Sequence, residues 1–175
     1  PLCSGVLEVP GRIGADGTVL CPAQVDRAAL QAWRAKGIDA VAIVLIHGPL
    51  HPASEVTLAA VCRSVGFSTV CLGHEVAPSR GYLARLHTTL ADAALTPLLP
   101  QAPGLYMRSD GGLSDQAEWR GCDAILAGPA GGVVETARLA IEAGVGPSFG
   151  LDMGGTSTDV CRVDGEPRRT DHLVV

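Results

Sequence analysis

The stretch Leu151-Asp152-Met153-Gly154-Gly155-Thr156-Ser157-Thr158-Asp159 decides how this chain is read. It joins an apolar strand end, a paired-glycine turn, three hydroxyl residues and a second acid. Glycines let backbone N–H groups converge on an anion with no Cβ in the way, and they tolerate the positive φ of an anion-binding nest. Thr156, Ser157 and Thr158 add hydroxyl donors. Asp152, at the carboxyl end of the predicted strand, is placed to hold Mg²⁺ directly or through water, and the metal neutralises phosphates that a bare carboxylate repels. The residues alone also fit a plain tight hairpin with solvated acids. The strand, turn, strand context favours phosphate.

Two stretches upstream extend this reading. Gly128-Pro129-Ala130-Gly131-Gly132-Val133-Val134 places small residues at the start of a helix predicted over 130–143, open to close approach by an anion or another backbone. Tyr106-Met107-Arg108-Ser109-Asp110-Gly111-Gly112-Leu113 is a brief strand running into a charged turn. Open α/β sheets place ligands at such carboxyl ends. An Arg108–Asp110 pair that simply fixes the turn fits the same residues.

The amino-terminal half alternates strand and helix. Residues 6–20 predict a hairpin turning at Ala15-Asp16-Gly17, and 22–36 a helix ended by Gly37. A strand over 39–47, a helix over 53–65 stopped by Gly66, and a strand over 67–72 make a βαβ crossover. Leu83, Leu86, Leu90 and Ala94 predict a long amphipathic helix over 81–99. The prolines at 100 and 103 mark a boundary, giving domains 1–104 and 105–175. Beyond the hairpin, 158–163 is expected to pair with 167–174 through Asp164-Gly165.

Composition narrows the partners. A hydrophobic content of 47% with 18% charged residues excludes wholesale disorder. With 13 basic against 18 acidic side chains and no basic cluster, nothing offers a footprint for nucleic acid or anionic lipid. The apolar run Ala40 to Ile46 falls far short of the roughly 20 residues needed to span a bilayer, so no membrane partner is expected. The six cysteines form no C-x-x-C pair and read as reduced thiols of a cytoplasmic protein, with Cys71 and Cys161 as small core residues. Pro49 and Pro52 keep His47 and His51 off a common helix face, so they read as loop histidines. His74, Glu75 and His87 read as polar positions that could line a pocket. The start at Pro1, without Met, suggests an excised segment.

Taken together, the three motifs resemble the hydantoinase/oxoprolinase family, most nearly its ATP-dependent 5-oxoprolinases. Weaker likeness continues through Ala15-Asp16-Gly17, the Val41 to His47 strand, Glu75-Val76-Ala77-Pro78 and His87-Thr88-Thr89, and so covers most of the chain. The resemblance implies an α/β, actin-like ATPase fold of the ribonuclease H-like kind, present in part: a βαβ lobe followed by the start of the second phosphate-binding lobe. It implies ATP and Mg²⁺ as cofactors and a small cyclic amide as substrate, 5-oxoproline or a hydantoin, opened by phosphorylation of its carbonyl oxygen. Gly154, Gly155, Thr156, Ser157 and Thr158, with Gly131 and Gly132, would contact nucleotide. Asp152 and Asp159 would be catalytic, with Asp152 on the metal, and Arg108, Ser109 and Asp110 would meet substrate. The family's amino-terminal phosphate hairpin is absent from this sequence, so the chain alone is expected to be inactive. A homo-oligomer or a second family subunit is the expected partner. An ATP-dependent ketone carboxylase subunit and a non-catalytic actin-like module are the competing readings.

Overall fold

A computed structural model describes residues 3–78 and 81–167. The chain divides into two compact units, Pro1–Leu99 and Pro100–Val175.

The first unit opens with a hairpin, β1 (Arg12–Ile13) antiparallel to β2 (Val19–Cys21). Its turn is tied by the Asp16 carboxylate, which accepts from the Thr18 N–H and hydroxyl. Those bonds hold the Asp16 carboxyl below its ordinary range. Helix α1 (Arg27–Ala35) starts later than its apolar spacing predicts, because Asp26 takes the N-cap and accepts the Ala28 N–H at 2.9 Å. Strand β3 (Ala40–Ile43), helix α2 (Ala53–Val65) and strand β4 (Thr69–Leu72) form the expected βαβ unit, β3 and β4 pairing in parallel from Ala40↔Thr69 to Ile43↔Leu72. Gly66 ends α2 at φ 102°, a left-handed cap that only glycine enters freely.

Strand β3 is shorter than the apolar run that predicts it. After Ile43 the backbone polar groups of Leu45 and Ile46 bond to the buried side chains Glu55 and Arg85 instead of to a neighbouring strand. Helices α3 (Gly73–Val76) and α4 (Tyr82–Leu95) follow, and α4 runs into a single 3₁₀ turn, Thr96–Leu98. Both α2 and α4 pack on β3 and β4. Leu30, Ile43, Leu58, Ala59, Cys62, Phe67 and Leu72 make the core.

The second unit begins with β5 (Leu105–Met107) antiparallel to β6 (Leu113–Asp115), a pairing too short to announce itself in the sequence. A short helix α5 (Gly121–Ala124) leads to α6 (Ala127–Glu142), which packs on β7 (Ser148–Met153) and β8 (Thr158–Val163). Strands β7 and β8 form an antiparallel hairpin in which Asp152 lies opposite Asp159. The strand expected beyond Asp164-Gly165 falls almost wholly outside the described residues. Among the described residues no helix is long and apolar enough to cross a membrane.

Candidate functional site: the corner between helix α6 and the β7–β8 hairpin

Side chains alternate faces along a strand, so Gly150 and Asp152 on β7 share one face with Asp159 and Cys161 on β8. That face meets α6 around a cavity of about 290 Å³, lined in part by Gly132, Thr136, Gly150, Asp152, Asp159 and Cys161. Gly150 sets how closely the hairpin approaches the helix: a Cβ there would overlap the Thr136 hydroxyl. Gly132 leaves room beside the acid, since a Cβ on it would stand 3.7 Å from Asp152 Oδ2. Among the described residues no Lys or Arg lines the cavity. Glu135, its third acid, is engaged by Arg138, which holds the carboxyl below its usual range.

The hairpin loop differs from the expected nest. Gly154 donates its N–H to Ser157 O at 2.9 Å, and neither Gly154 nor Gly155 has a positive φ. A loop closed by that bond needs no left-handed residue, which is why the expectation fails. The N–H groups of Gly155 and Thr156 make no hydrogen bond among the described residues, and Thr156, Ser157 and Thr158 are all exposed.

The expected role of Gly131 and Gly132 also needs correction. Helix α6 begins at Ala127, so both lie in its second turn, where backbone N–H groups belong to the helical ladder and are not open to an anion. At this end Leu126 N–H already donates to Ser109 Oγ at 3.0 Å, and Pro129 has no N–H. A Cβ on Gly131 would stand 3.8 Å from Met107 and one on Gly132 3.7 Å from Asp152, both ordinary contacts.

The Arg108 turn is built largely from its own residues. Ser109 donates both its N–H and its hydroxyl to Asp123 O, each at 2.7 Å. Asp110 Oδ1 accepts the Gly112 N–H at 2.8 Å. The Arg108 guanidinium lies 3.8 Å from Asp110 and 3.5 Å from Asp123, yet its side chain stays 41% exposed. Gly111, at φ 78°, seats the turn against Val134 of α6. Ser109 and Asp110 therefore fix the turn, although the Asp110 side chain, 44% exposed, reaches solvent as Arg108 does. Sequence reasoning overlooked Thr136, whose signal was its spacing of one helical turn from Gly132.

Comparison with known proteins gives this geometry its context. The family model described as hydantoinase/oxoprolinase N-terminal region matches residues 1–66, and the one described as hydantoinase/oxoprolinase matches residues 67–175. The 5-oxoprolinase of Saccharomyces cerevisiae is 38% identical over 163 residues, which is 84% of this chain but 12% of that protein. Caprolactamase subunit alpha of Pseudomonas jessenii is 31% identical over 174 residues, 87% of this chain and 25% of its own length. The crystal structure of the ATP-dependent caprolactamase from that organism aligns with a TM-score of 0.67 at 30% identity, covering 88% of this chain and 25% of the other. Nucleotide-free acetone carboxylase aligns with a TM-score of 0.72 at 22% identity, over 89% of this chain and 25% of the other, a likeness of fold. The architecture is part of an actin-like ATPase fold. The chain thus spans about one eighth of the yeast relative it matches, and it belongs to the hydantoinase/oxoprolinase family.

Proposed function

We propose that the α6–hairpin corner grips the phosphates of ATP through Mg²⁺, in a polypeptide that uses ATP to open a cyclic amide. One observation carries this reading: Asp152 and Asp159 face each other across the hairpin in a cavity that no described basic residue lines, and the loop joining them has open amides and exposed hydroxyls. Two carboxylates repel phosphate and attract a cation, whereas N–H and O–H donors attract an anion. A metal-bound phosphate satisfies both.

The residues fit that group. Among the described residues no cluster of three or more His, Cys, Asp or Glu could hold a metal by itself. Mg²⁺ ordinarily takes one or two carboxylates and completes its shell with substrate phosphates and water. Asp152 would hold the ion, and Asp159 would orient its water. The amides of Gly155 and Thr156, with the hydroxyls of Thr156 and Ser157, would hold phosphate oxygens, whereas Thr158, paired with Met153, lies on the opposite face of the hairpin. Gly132 supports the same reading, since a glycine inside a helix costs about 1 kcal/mol relative to alanine and no described residue crowds its Cβ position. Approach by a ligand supplies a reason for it. Bound ATP would supply a phosphoryl group that turns the amide oxygen into a leaving group, so that water can attack a carbonyl otherwise protected by amide resonance. Arg108, still partly exposed, is the group here suited to a substrate carboxylate.

The leading substrate is 5-oxoproline, followed by hydantoins, and a second subunit is the proposed partner because the caprolactamase relative is named as a subunit. The test is ADP formation by the full-length polypeptide offered 5-oxoproline, N-methylhydantoin, or a ketone with bicarbonate. Lactam-dependent ADP release that disappears in Asp152→Ala supports the reading. Release that depends on ketone and bicarbonate, or none with any substrate, overturns it.

A further inference from the structure

The most heavily engaged polar groups outside the corner lie in the first unit, where β3 and β4 end. Glu55 on α2 is fully buried. Its Oε1 accepts the Leu45 N–H at 2.8 Å, and its Oε2 accepts the His74 N–H at 3.0 Å and lies 2.6 Å from His74 Nδ1. Gly48 presses on the same carboxylate, and a Cβ there would overlap Oε1. Arg85, 2% exposed, steadies the loop further by donating Nη2 to Leu45 O at 2.7 Å and Ile46 O at 3.0 Å. His74 keeps 15% of its side chain exposed.

We propose that this cluster holds His74 as a proton acceptor for a water molecule, with Glu55 as its positioning residue. Both Glu55 oxygens accept a backbone N–H, the pattern of an acceptor-only group, so the hydrogen between Glu55 and His74 is assigned to Nδ1. In the neutral imidazole Nε2 then carries a lone pair. Glu75 Oε1 lies 3.9 Å from that nitrogen, too far for a direct hydrogen bond, and the Glu75 side chain is 52% exposed. A water between them would donate one hydrogen to Nε2 and the other to Glu75. Transfer of the first to Nε2 gives hydroxide and an imidazolium flanked by the Glu55 and Glu75 carboxylates. The carboxyl ends of parallel strands are also where open α/β sheets gather ligands. This inference is independent of the ATP reading, because its groups all lie within the first unit.

Long-range ¹H–¹⁵N spectra of the 175-residue chain at pH 8 test it, together with carbethoxylation of the histidines by diethyl pyrocarbonate. The expected result is a His74 protonated at Nδ1 and modified at Nε2. Glu55→Gln, which can offer its amide hydrogens to Nδ1, should move the proton to Nε2 and slow the modification by about tenfold. Glu75→Gln should leave the tautomer unchanged. A wild-type His74 protonated at Nε2, or one inert to the reagent, overturns the inference, as does a reaction indifferent to Glu55→Gln. Should Glu55→Gln fail to fold, the wild-type spectrum and reactivity decide alone.

Discussion

In the first unit Leu30, Ile43, Leu58, Ala59, Cys62, Phe67 and Leu72 are each 8% exposed or less, whereas in the second Phe149, Leu151, Met153 and Val160 stand 64% to 80% exposed. Those four residues share the hairpin face opposite Asp152 and Asp159. The first unit closes a core from its own helices and strands. The second turns these four apolar side chains outward together on one face. A two-stranded hairpin is also marginal in water without further packing. The proposed phosphate corner therefore sits on the less self-sufficient unit, consistent with binding elements being drawn from the low-stability end of a fold.

Replacing glycine where the first unit is tightest should have the largest effect. Gly48→Ala drives a methyl into the buried Glu55 carboxylate and should lower the stability of that unit by about 3 kcal/mol. The two tryptophans, Trp33 and Trp119, lie one in each unit and report them separately in urea titrations. A Gly48→Ala loss under about 1 kcal/mol at Trp33 would deny that the loop is clamped. In wild type the Trp119 transition should come at lower urea than the Trp33 transition, and coincident transitions would erase the contrast. A smaller effect of opposite sign is expected at the corner: Gly132→Ala should stabilise α6 by up to about 1 kcal/mol while weakening Mg²⁺-dependent ATP binding by the full-length polypeptide. Destabilisation with unchanged binding would make Gly132 a packing residue. Smallest is the pH response of Asp39, whose carboxyl is held below its ordinary value first by the Ser68 hydroxyl, with the Ser68 N–H and Arg34 adding to it. Because the folded value is depressed, this stabilisation is present above the unfolded value of about 4 and fades as pH falls through the folded one. Ser68→Ala should flatten the fall of Tm in that acid range.

What the sequence disclosed follows the locality of its signals. Helix α2 is bounded by Pro52 and Gly66, and its predicted span matches the structure from Ala53 to Val65. The βαβ order and the Asp152–Asp159 hairpin were legible for the same reason. Strand β6 spans three residues beyond the Arg108 turn, too few for alternation to register. The burial of Glu55 had no local signal, because its partners Leu45 and His74 lie 10 and 19 residues away. The role of the glycines divided likewise. Gly66 announced the end of its helix, but whether Gly154, Gly155 or Gly132 served backbone conformation, packing or a ligand depended on contacts that composition does not carry.

Calorimetric titration of ATP with Mg²⁺ into the full-length polypeptide, wild type against Asp152→Asn, tests the central claim most directly. The account predicts Mg²⁺-dependent binding that weakens at least about tenfold in the variant, with its Tm unchanged because Asp152 is exposed. Equal affinity in the two proteins, with or without Mg²⁺, would contradict it.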